Sequence, residues 1–308
     1  MGKGEDQTLK VKLFGKVFKN PVWVASGTFG YGEEYAEIYD VSKLGAIVTK
    51  SITLEPRMGH PPPRVVETPS GMLNAIGLQN VGVDNFIKEK LPYLRRLKTR
   101  VIVNIAGSSI NEYVKVTERL NGKRGIDALE VNISCPNVKA GGIEIGADPK
   151  QAFRAIRMVK KASSFPVIAK LSPNVTDITV TARAVEDGGA DAISLINTLV
   201  GMVIDVDKKK PALSNLTGGL SGPAIRPIAL AMVYKVARTV EIPVIGIGGI
   251  TNTDDALQFF LAGAKAIQVG TGNFINPRAP LEIIAGLKRY CKRNKLSNIS
   301  KIAADFEG

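Results

Sequence analysis

Short apolar runs recur along this chain, and each ends in small or polar residues. Val22-Trp23-Val24-Ala25-Ser26 comes first, followed by Ala46-Ile47-Val48-Thr49-Lys50-Ser51 and Val101-Ile102-Val103-Asn104. The fourth, Glu130-Val131-Asn132-Ile133-Ser134-Cys135-Pro136-Asn137, alternates up to a proline that forces the chain out of the strand. Val167-Ile168-Ala169-Lys170, Ala192-Ile193-Ser194-Leu195-Ile196-Asn197-Thr198, Val244-Ile245-Gly246-Ile247-Gly248-Gly249 and Ala266-Ile267-Gln268-Val269-Gly270-Thr271 complete a set of eight. Between them the spacing predicts helices over 84–98, 111–121, 149–162, 177–187, 224–239, 253–262 and 281–293, with caps at Asp84, at Asp148 before Pro149, and at Thr253 before Asp254-Asp255. Eight strands alternating with helices predict an α/β fold in which a parallel sheet closes on itself, the (β/α)8 barrel, as one domain over 1–308. A doubly wound open sheet is the alternative.

Two stretches break the rhythm. Residues 52–83 carry Pro61-Pro62-Pro63 and then Asn74-Ala75-Ile76-Gly77-Leu78-Gln79-Asn80; residues 199–223 run through Lys208-Lys209-Lys210 to Gly218-Gly219-Leu220-Ser221-Gly222. Both follow strands, so both are expected over the C-terminal mouth of the barrel, where barrel chemistry sits. Near the start, Val11 to Lys19 alternates around Gly15, which predicts a small hairpin plugging the opposite end.

Composition narrows the partners. A hydrophobic content of 44% is ample for a core in 308 residues. The net charge of +13 admits anionic ligands, an acidic protein or nucleic acid, but the basic residues are scattered and aromatics are only 6%, which argues against nucleic acid. Cys135 and Cys291, far apart, make no disulfide framework and fit a reducing cytoplasm. Two cysteines and one histidine cannot ligate a structural zinc or a typical iron–sulfur cluster, so no metal is expected on this chain and any required cluster belongs to another. The amino terminus lacks the apolar core of a signal peptide, and no run approaches the roughly 18 to 20 residues needed to cross a bilayer. A cytoplasmic protein without membrane contact is expected.

The strand ends divide into two kinds of surface. Gly248-Gly249 and Gly270-Thr271, after strands seven and eight, let backbone N–H groups approach an anion at the usual phosphate site of barrels. Lys50, Ser51, Asn104, Asn132, Lys170, Asn197 and Thr198 form a ring of donors at the other strand ends. With no carboxylate beside them in sequence, the two lysines call for an electron-rich ligand. A phosphorylated cofactor whose head group gathers negative charge on reduction meets both demands, and flavin mononucleotide (FMN) is such a molecule; pyridoxal phosphate would need a Schiff-base lysine. Cys135 stands between two asparagines and is followed by Ala140-Gly141-Gly142, company that points to chemistry rather than to a packed thiol. His60, among prolines, and Cys291, in a basic terminal helix, read as structural.

These motifs resemble the class 1 dihydroorotate dehydrogenases: Thr49-Lys50-Ser51, Asn74-Ala75-Ile76-Gly77-Leu78, Asn132-Ile133-Ser134-Cys135-Pro136-Asn137, Ala169-Lys170-Leu171-Ser172-Pro173 and Gly246-Ile247-Gly248-Gly249-Ile250. The cysteine marks class 1, since class 2 uses serine. Ser134 to Lys139 followed by Gly141-Gly142 is similar to the NAD-linked type B subgroup rather than to fumarate-using type A. The resemblance implies one FMN per chain, held by Ser26, Lys50, Ser51, Asn104, Asn132, Lys170, Ile196, Gly222, Gly248, Gly249, Gly270 and Thr271. It implies a pyrimidine held by Lys50, Asn74, Ala75, Ile76, Gly77, Leu78, Asn132, Asn197 and Thr198. It further implies a homodimer within a heterotetramer, whose second subunit carries FAD and a 2Fe-2S cluster.

On that reading Cys135, as thiolate, takes the C5 proton of dihydroorotate as the C6 hydride leaves for the flavin, under a glycine-bearing lid at 137–147. Lys170 is expected to steady charge on the reduced flavin. Other readings are a fumarate-dependent type A enzyme, a dihydropyrimidine dehydrogenase-like flavoenzyme acting on uracil or thymine, and a non-catalytic barrel that binds a phosphorylated ligand or nucleic acid.

Overall fold

Runs of valine and isoleucine with no polar side to offer water belong between two covered faces, and these strands are buried along their length. A computed structural model of the chain describes residues 7–133 and 145–306. Its parallel strands β1 (Val22–Val24), β2 (Ala46–Val48), β3 (Arg100–Ile105), β4 (Ala128–Asn132), β5 (Val167–Lys170), β6 (Ala192–Leu195), β7 (Val244–Ile247) and β8 (Ala266–Val269) form a closed barrel. Each pairs with the next in chain order, and β8 closes the ring on β1 with Val269 opposite Val24. The (β/α)8 expectation holds, and the open-sheet alternative falls with the closure.

Helices return the chain between strands: α1 (Ile110–Leu120), α2 (Pro149–Ala162), α3 (Ile178–Asp187), α4 (Arg226–Ala237), α5 (Thr253–Leu261) and α6 (Ala279–Arg293). The helix expected over 84–98 is found as Val83–Asn85, a π turn at Phe86–Lys90 and Leu91–Arg96. Of the expected caps, Asp148 accepts the N–H of Lys150 at 2.8 Å. The other two are corrected. Asn252 rather than Thr253 caps α5, accepting from the N–H of Asp255 at 3.0 Å. Asp84 lies inside its helix behind Gly82 and pairs with Arg119 at 2.8 Å.

Most strands stop sooner than the apolar pattern suggests. Thr49-Lys50-Ser51, Ile196-Asn197-Thr198, Gly248-Gly249 and Gly270-Thr271 all lie past the ladder ends. Here the backbone turns to loop partners, as where Lys50 N–H donates to the Gly30 carbonyl at 3.1 Å. These groups therefore sit on the rim, while Asn104 in β3, Asn132 in β4 and Lys170 in β5 lie inside the ladder.

The two insertions, read from sequence as separate coverings, join in one antiparallel sheet ordered Leu199–Gly201, Gly218–Ser221, Gly71–Asn74, Val65–Thr68. Short strands rich in glycine gave no period to detect. Leu73, Ala75 and Leu213 form a small core of their own beneath it. At the opposite end the expected hairpin, Val11–Leu13 and Lys16–Phe18, turns through Phe14 and Gly15, both at positive φ. It lays the fully buried Phe18 against Trp23, with ring centroids 4.7 Å apart.

Close helix–strand approach has a residue of its own. A Cβ on Gly246, in β7, would overlap the ring edge of Phe259 on α5, whose Cγ is 3.3 Å from that position. Both residues are buried in the core, so the ring has nowhere to retreat. Gly246→Ala is expected to cost about 1–3 kcal/mol through overpacking, read as a lowered urea midpoint with an unchanged slope.

Candidate active site

The mouth is built around a carboxylate that the apolar pattern hides. Glu130, within β4, is 0% exposed. Burial of an unpaired carboxylate is costly enough to demand partners, and four strands supply them. From β3, Asn104 Nδ2 donates to Oε1 at 2.7 Å; from β6, Ser194 Oγ donates to Oε2 at 2.9 Å; from β8, Gln268 Nε2 donates to Oε2 at 2.7 Å. From β5, Lys170 Nζ stands 3.9 Å from Oε1. Asn104 in turn accepts the hydroxyl of Ser51 on its Oδ1 at 2.6 Å.

This corrects one step of the sequence reasoning. Lys170 does have a carboxylate counterpart, carried by the neighbouring strand two residues before Asn132, its register partner. Lys50 fits the earlier argument better. Among the described residues no carboxylate lies within ion-pair distance of it, and its pKa is lowered, first by burial and then by the nearby charge of Arg64, with Glu34 acting in the opposite sense. Arg64, which donates to Gln79 Oε1 at 2.9 Å, thus adds a second cation beside Lys50.

Around this centre the structure brings several expected residues together. Asn197 Nδ2 approaches Asn132 Oδ1 at 3.5 Å, and Asn197 Oδ1 accepts the N–H of Thr198 at 2.9 Å. Tyr113 of α1 donates its hydroxyl to the Asn132 carbonyl at 2.7 Å, fixing the end of β4. Asn74 donates to the Gly219 carbonyl at 3.3 Å. The loop beyond it, Ala75 to Leu78, is held from below: Asn80 bonds Thr53 Oγ1 at 2.7 Å and the Leu78 carbonyl at 2.8 Å, and Gly77 and Leu78 both have positive φ. His60 Nδ1 lies 3.1 Å from the Ala75 carbonyl, and a Cβ on Gly77 would meet His60 N at 2.7 Å. The structural readings of His60 and of Cys291, which is buried in α6, agree with these positions.

On the other side of the mouth, turns pack on turns. Thr271 Oγ1 donates to Ser221 Oγ at 2.7 Å. A Cβ on Gly249 would meet the Gly222 carbonyl at 2.8 Å, and one on Gly248 would meet Ala229 Cβ at 2.5 Å. With Gly222, Gly248 and Gly249 at positive φ, these glycines have a packing reason that needs no ligand. Gly270 differs: a Cβ there would make only an ordinary contact, with Ala25 Cβ at 3.7 Å, so packing does not require glycine at this position. Ile196 is buried beside Gly248, and Ser26 is half-buried just past β1. Asp255, 2% exposed, stiffens the turn after β7 by accepting from Thr251 N at 2.9 Å and Thr251 Oγ1 at 2.7 Å while pairing with Arg226.

Cys135 and the greater part of the expected lid, 137–144, lie outside the described residues, as does Ser134. Among the residues that are described, Gly146 N–H donates to the Ile133 carbonyl at 2.9 Å. Glu130, Ser194, Gln268, Arg64 and Ser221 were not singled out from sequence. A glutamate inside an otherwise apolar barrel strand was the available signal, since such a charge requires polar residues on other strands. Among the described residues no group of three or more His, Cys, Asp or Glu is placed to hold a metal ion, and no helix is long and apolar enough to cross a membrane.

Residues 8–291 match the family model described as dihydroorotate dehydrogenase. A protein of Geobacter sp. (strain M21), named dihydroorotate dehydrogenase B (NAD(+)), catalytic subunit, is 53% identical over 299 residues, covering 97% of this chain and 98% of its own. Proteins of the same name are 54% identical in Thermoanaerobacter sp. (strain X514), over 97% of this chain and 99% of that one, and 55% identical in Desulforamulus reducens, over 96% and 97%.

The lowered pKa of Lys50 has a thermodynamic signature. The unfolded chain binds the proton more tightly than the folded one, so the residue destabilises the ligand-free fold below its folded pKa. That penalty fades as pH rises through the ordinary lysine value of about 10.4. Lys50→Met is therefore expected to be more stable than the wild type at pH 7, with the gap closing by about pH 10.5; denaturant midpoints at both values check it.

Proposed function

Since this chain belongs to the dihydroorotate dehydrogenase family, we propose that it is the catalytic subunit of an NAD-linked, type B enzyme that oxidises (S)-dihydroorotate to orotate for pyrimidine synthesis. The observation that carries the reading is the division of the barrel mouth: amides and amines at the ends of β3 to β6, turns rich in glycine after β7 and β8. A flat, polar ring and a phosphate group need those two surfaces side by side.

FMN fits this donor set on two counts. Gly270, where packing does not require glycine, and Thr271 stand beside the turns of Gly222, Gly248 and Gly249, and backbone N–H groups of such turns suit a phosphate. Lys50, Lys170, Asn104 and Asn132 supply cations and amides where an electron-rich ring would lie, with Ser26, Ser51 and Ile196 beside them. When bound, FMN supplies the hydride acceptor.

The chain's own groups divide the remaining work. Lys50, Asn132, Asn197 and Thr198, with Asn74 through Leu78, hold the substrate. Asparagine suits a pyrimidine edge because it offers both a donor and an acceptor. Lys50 meets the substrate's carboxylate, which removes the cost of its own burial. Lys170 steadies negative charge on the cofactor's ring. Cys135, assigned from its sequence motif, takes the proton from C5. The name shared by the relatives speaks of a catalytic subunit, and a separate subunit bearing FAD and a 2Fe-2S cluster suits a chain with two cysteines and one histidine. We place this chain as a single domain, in a homodimer within that heterotetramer, in the cytoplasm.

The purified protein is expected to be yellow and to bleach on anaerobic mixing with dihydroorotate but not with dihydrouracil. The bleaching rate should climb with pH as the thiol ionises, a free thiol doing so near about 8.5. Cys135→Ala should keep its colour and lose roughly 10²-fold or more in that rate; stopped-flow absorbance decides, and a variant that bleaches at nearly the wild-type rate overturns the assignment of the base. With the partner subunit present, NAD⁺ rather than fumarate should reoxidise the protein.

A further inference from the structure

Glu130 has no task in the reaction as derived above, yet its carboxylate accepts from three side chains on three strands. Its carboxylate is fully buried, and its neighbours come from strands on both sides of the barrel. Oε2 is occupied by Ser194 and Gln268, while Oε1 faces Asn104 at 2.7 Å and Lys170 at 3.9 Å. Both residues on the Oε1 side are assigned to the cofactor. A barrel needing only to fill this layer would do so with branched apolar side chains, which pack there without any desolvation cost.

Two consequences follow from the hydrogen-bond directions. A carboxylate accepts and does not donate, so the Asn104 amide must present its N–H₂ to Glu130 and its oxygen to Ser51. The Ser51 proton is then committed to Asn104, leaving Ser51 Oγ with lone pairs alone for a ligand. Asn104 keeps one N–H. The buried negative charge thereby sets which groups at the cofactor surface donate and which accept. It also provides Lys170 with a counter-charge at 3.9 Å, too long for a direct bond and short enough, at low dielectric, to offset much of its field.

We propose that Glu130 is a positioning residue that fixes the polarity of the Asn104–Ser51 pair and, by partly cancelling the charge of Lys170, holds the reduction potential of the bound flavin below the value that lysine alone would set. The inference rests on the reading of this mouth as an FMN site. Its physical content is electrostatic: reduction places negative charge near Lys170, and that charge is opposed by a second one already present on Glu130.

The test is the two-electron midpoint potential of the FMN-loaded chain, measured by dye equilibration without substrate. Glu130→Gln keeps the shape and removes the charge. The ratio of reduced to oxidised flavin at fixed poise should rise at least tenfold, a positive shift of about 30 mV. Glu130→Asp, which retains the charge, should move the potential in that direction by much less. An unchanged or more negative potential in Glu130→Gln overturns the proposal, even if the variant melts earlier, since a purely structural tie alters stability and leaves the potential alone. Should the single variant not fold, the same charge is removed in a Lys170→Met background, where the buried pair becomes neutral at both positions. The double variant must then lie positive of Lys170→Met, and equality between the two also overturns the proposal. A wild-type chain that takes up no FMN, or whose FMN dihydroorotate fails to reduce, refutes the underlying reading instead; a normal wild type with an unmoved Glu130→Gln refutes this inference alone.

Discussion

A single buried carboxylate organises the catalytic end of this barrel. Glu130 cannot be left without partners, and satisfying it draws Asn104, Ser194, Gln268 and Lys170 from four other strands onto one point. Apolar packing alone would close the barrel and leave its inner rotamers free to choose among orientations. The charge removes that freedom. Everything above it, including the amide faces of Asn104 and the hydroxyl of Ser51, inherits a fixed direction.

The same economy governs the rim. Lys50, Ser51, Asn197 and Thr198 stand on short turns past the ladder ends, while Asn104, Asn132 and Lys170 stay within the ladder. Tyr113 ties the end of β4, Asp255 ties the turn after β7, and Asn80 ties the loop that carries Gly77 and Leu78. None of these touches a ligand in the proposed reaction. Each converts a loop into a platform by giving its backbone groups partners inside the protein.

Much of this was legible beforehand because a parallel barrel writes itself plainly: strands buried on both faces are nearly continuous apolar runs, and α2 was read to the residue. The polar groups at Ser51, Asn104, Asn132 and Lys170 are legible as polar endings to those runs. What escaped were relations between distant residues. The polar side chains of Glu130, Ser194 and Gln268 look like isolated exceptions along the sequence and become one network only when β4, β6 and β8 face a common axis. The lysine argument erred for the same reason, since the partner of Lys170 sits on the adjacent strand. The glycines after β7 carry a second requirement invisible in sequence, since Ala229 and Arg226 leave no room for a side chain at either.

The antiparallel sheet over the mouth unites strands from two insertions, with Asn74 bonded to Gly219 across 145 residues of chain. Such a pairing closes a long stretch of chain and cannot form before Gly219 has been made. During synthesis the covering of the barrel mouth therefore stays half built until more than two thirds of the polypeptide has been made. A truncated product that stops after its first five barrel strands would carry Asn74, Asn104 and Lys170 yet lack the strands that pair over them, so the mouth of an incomplete chain stays uncovered.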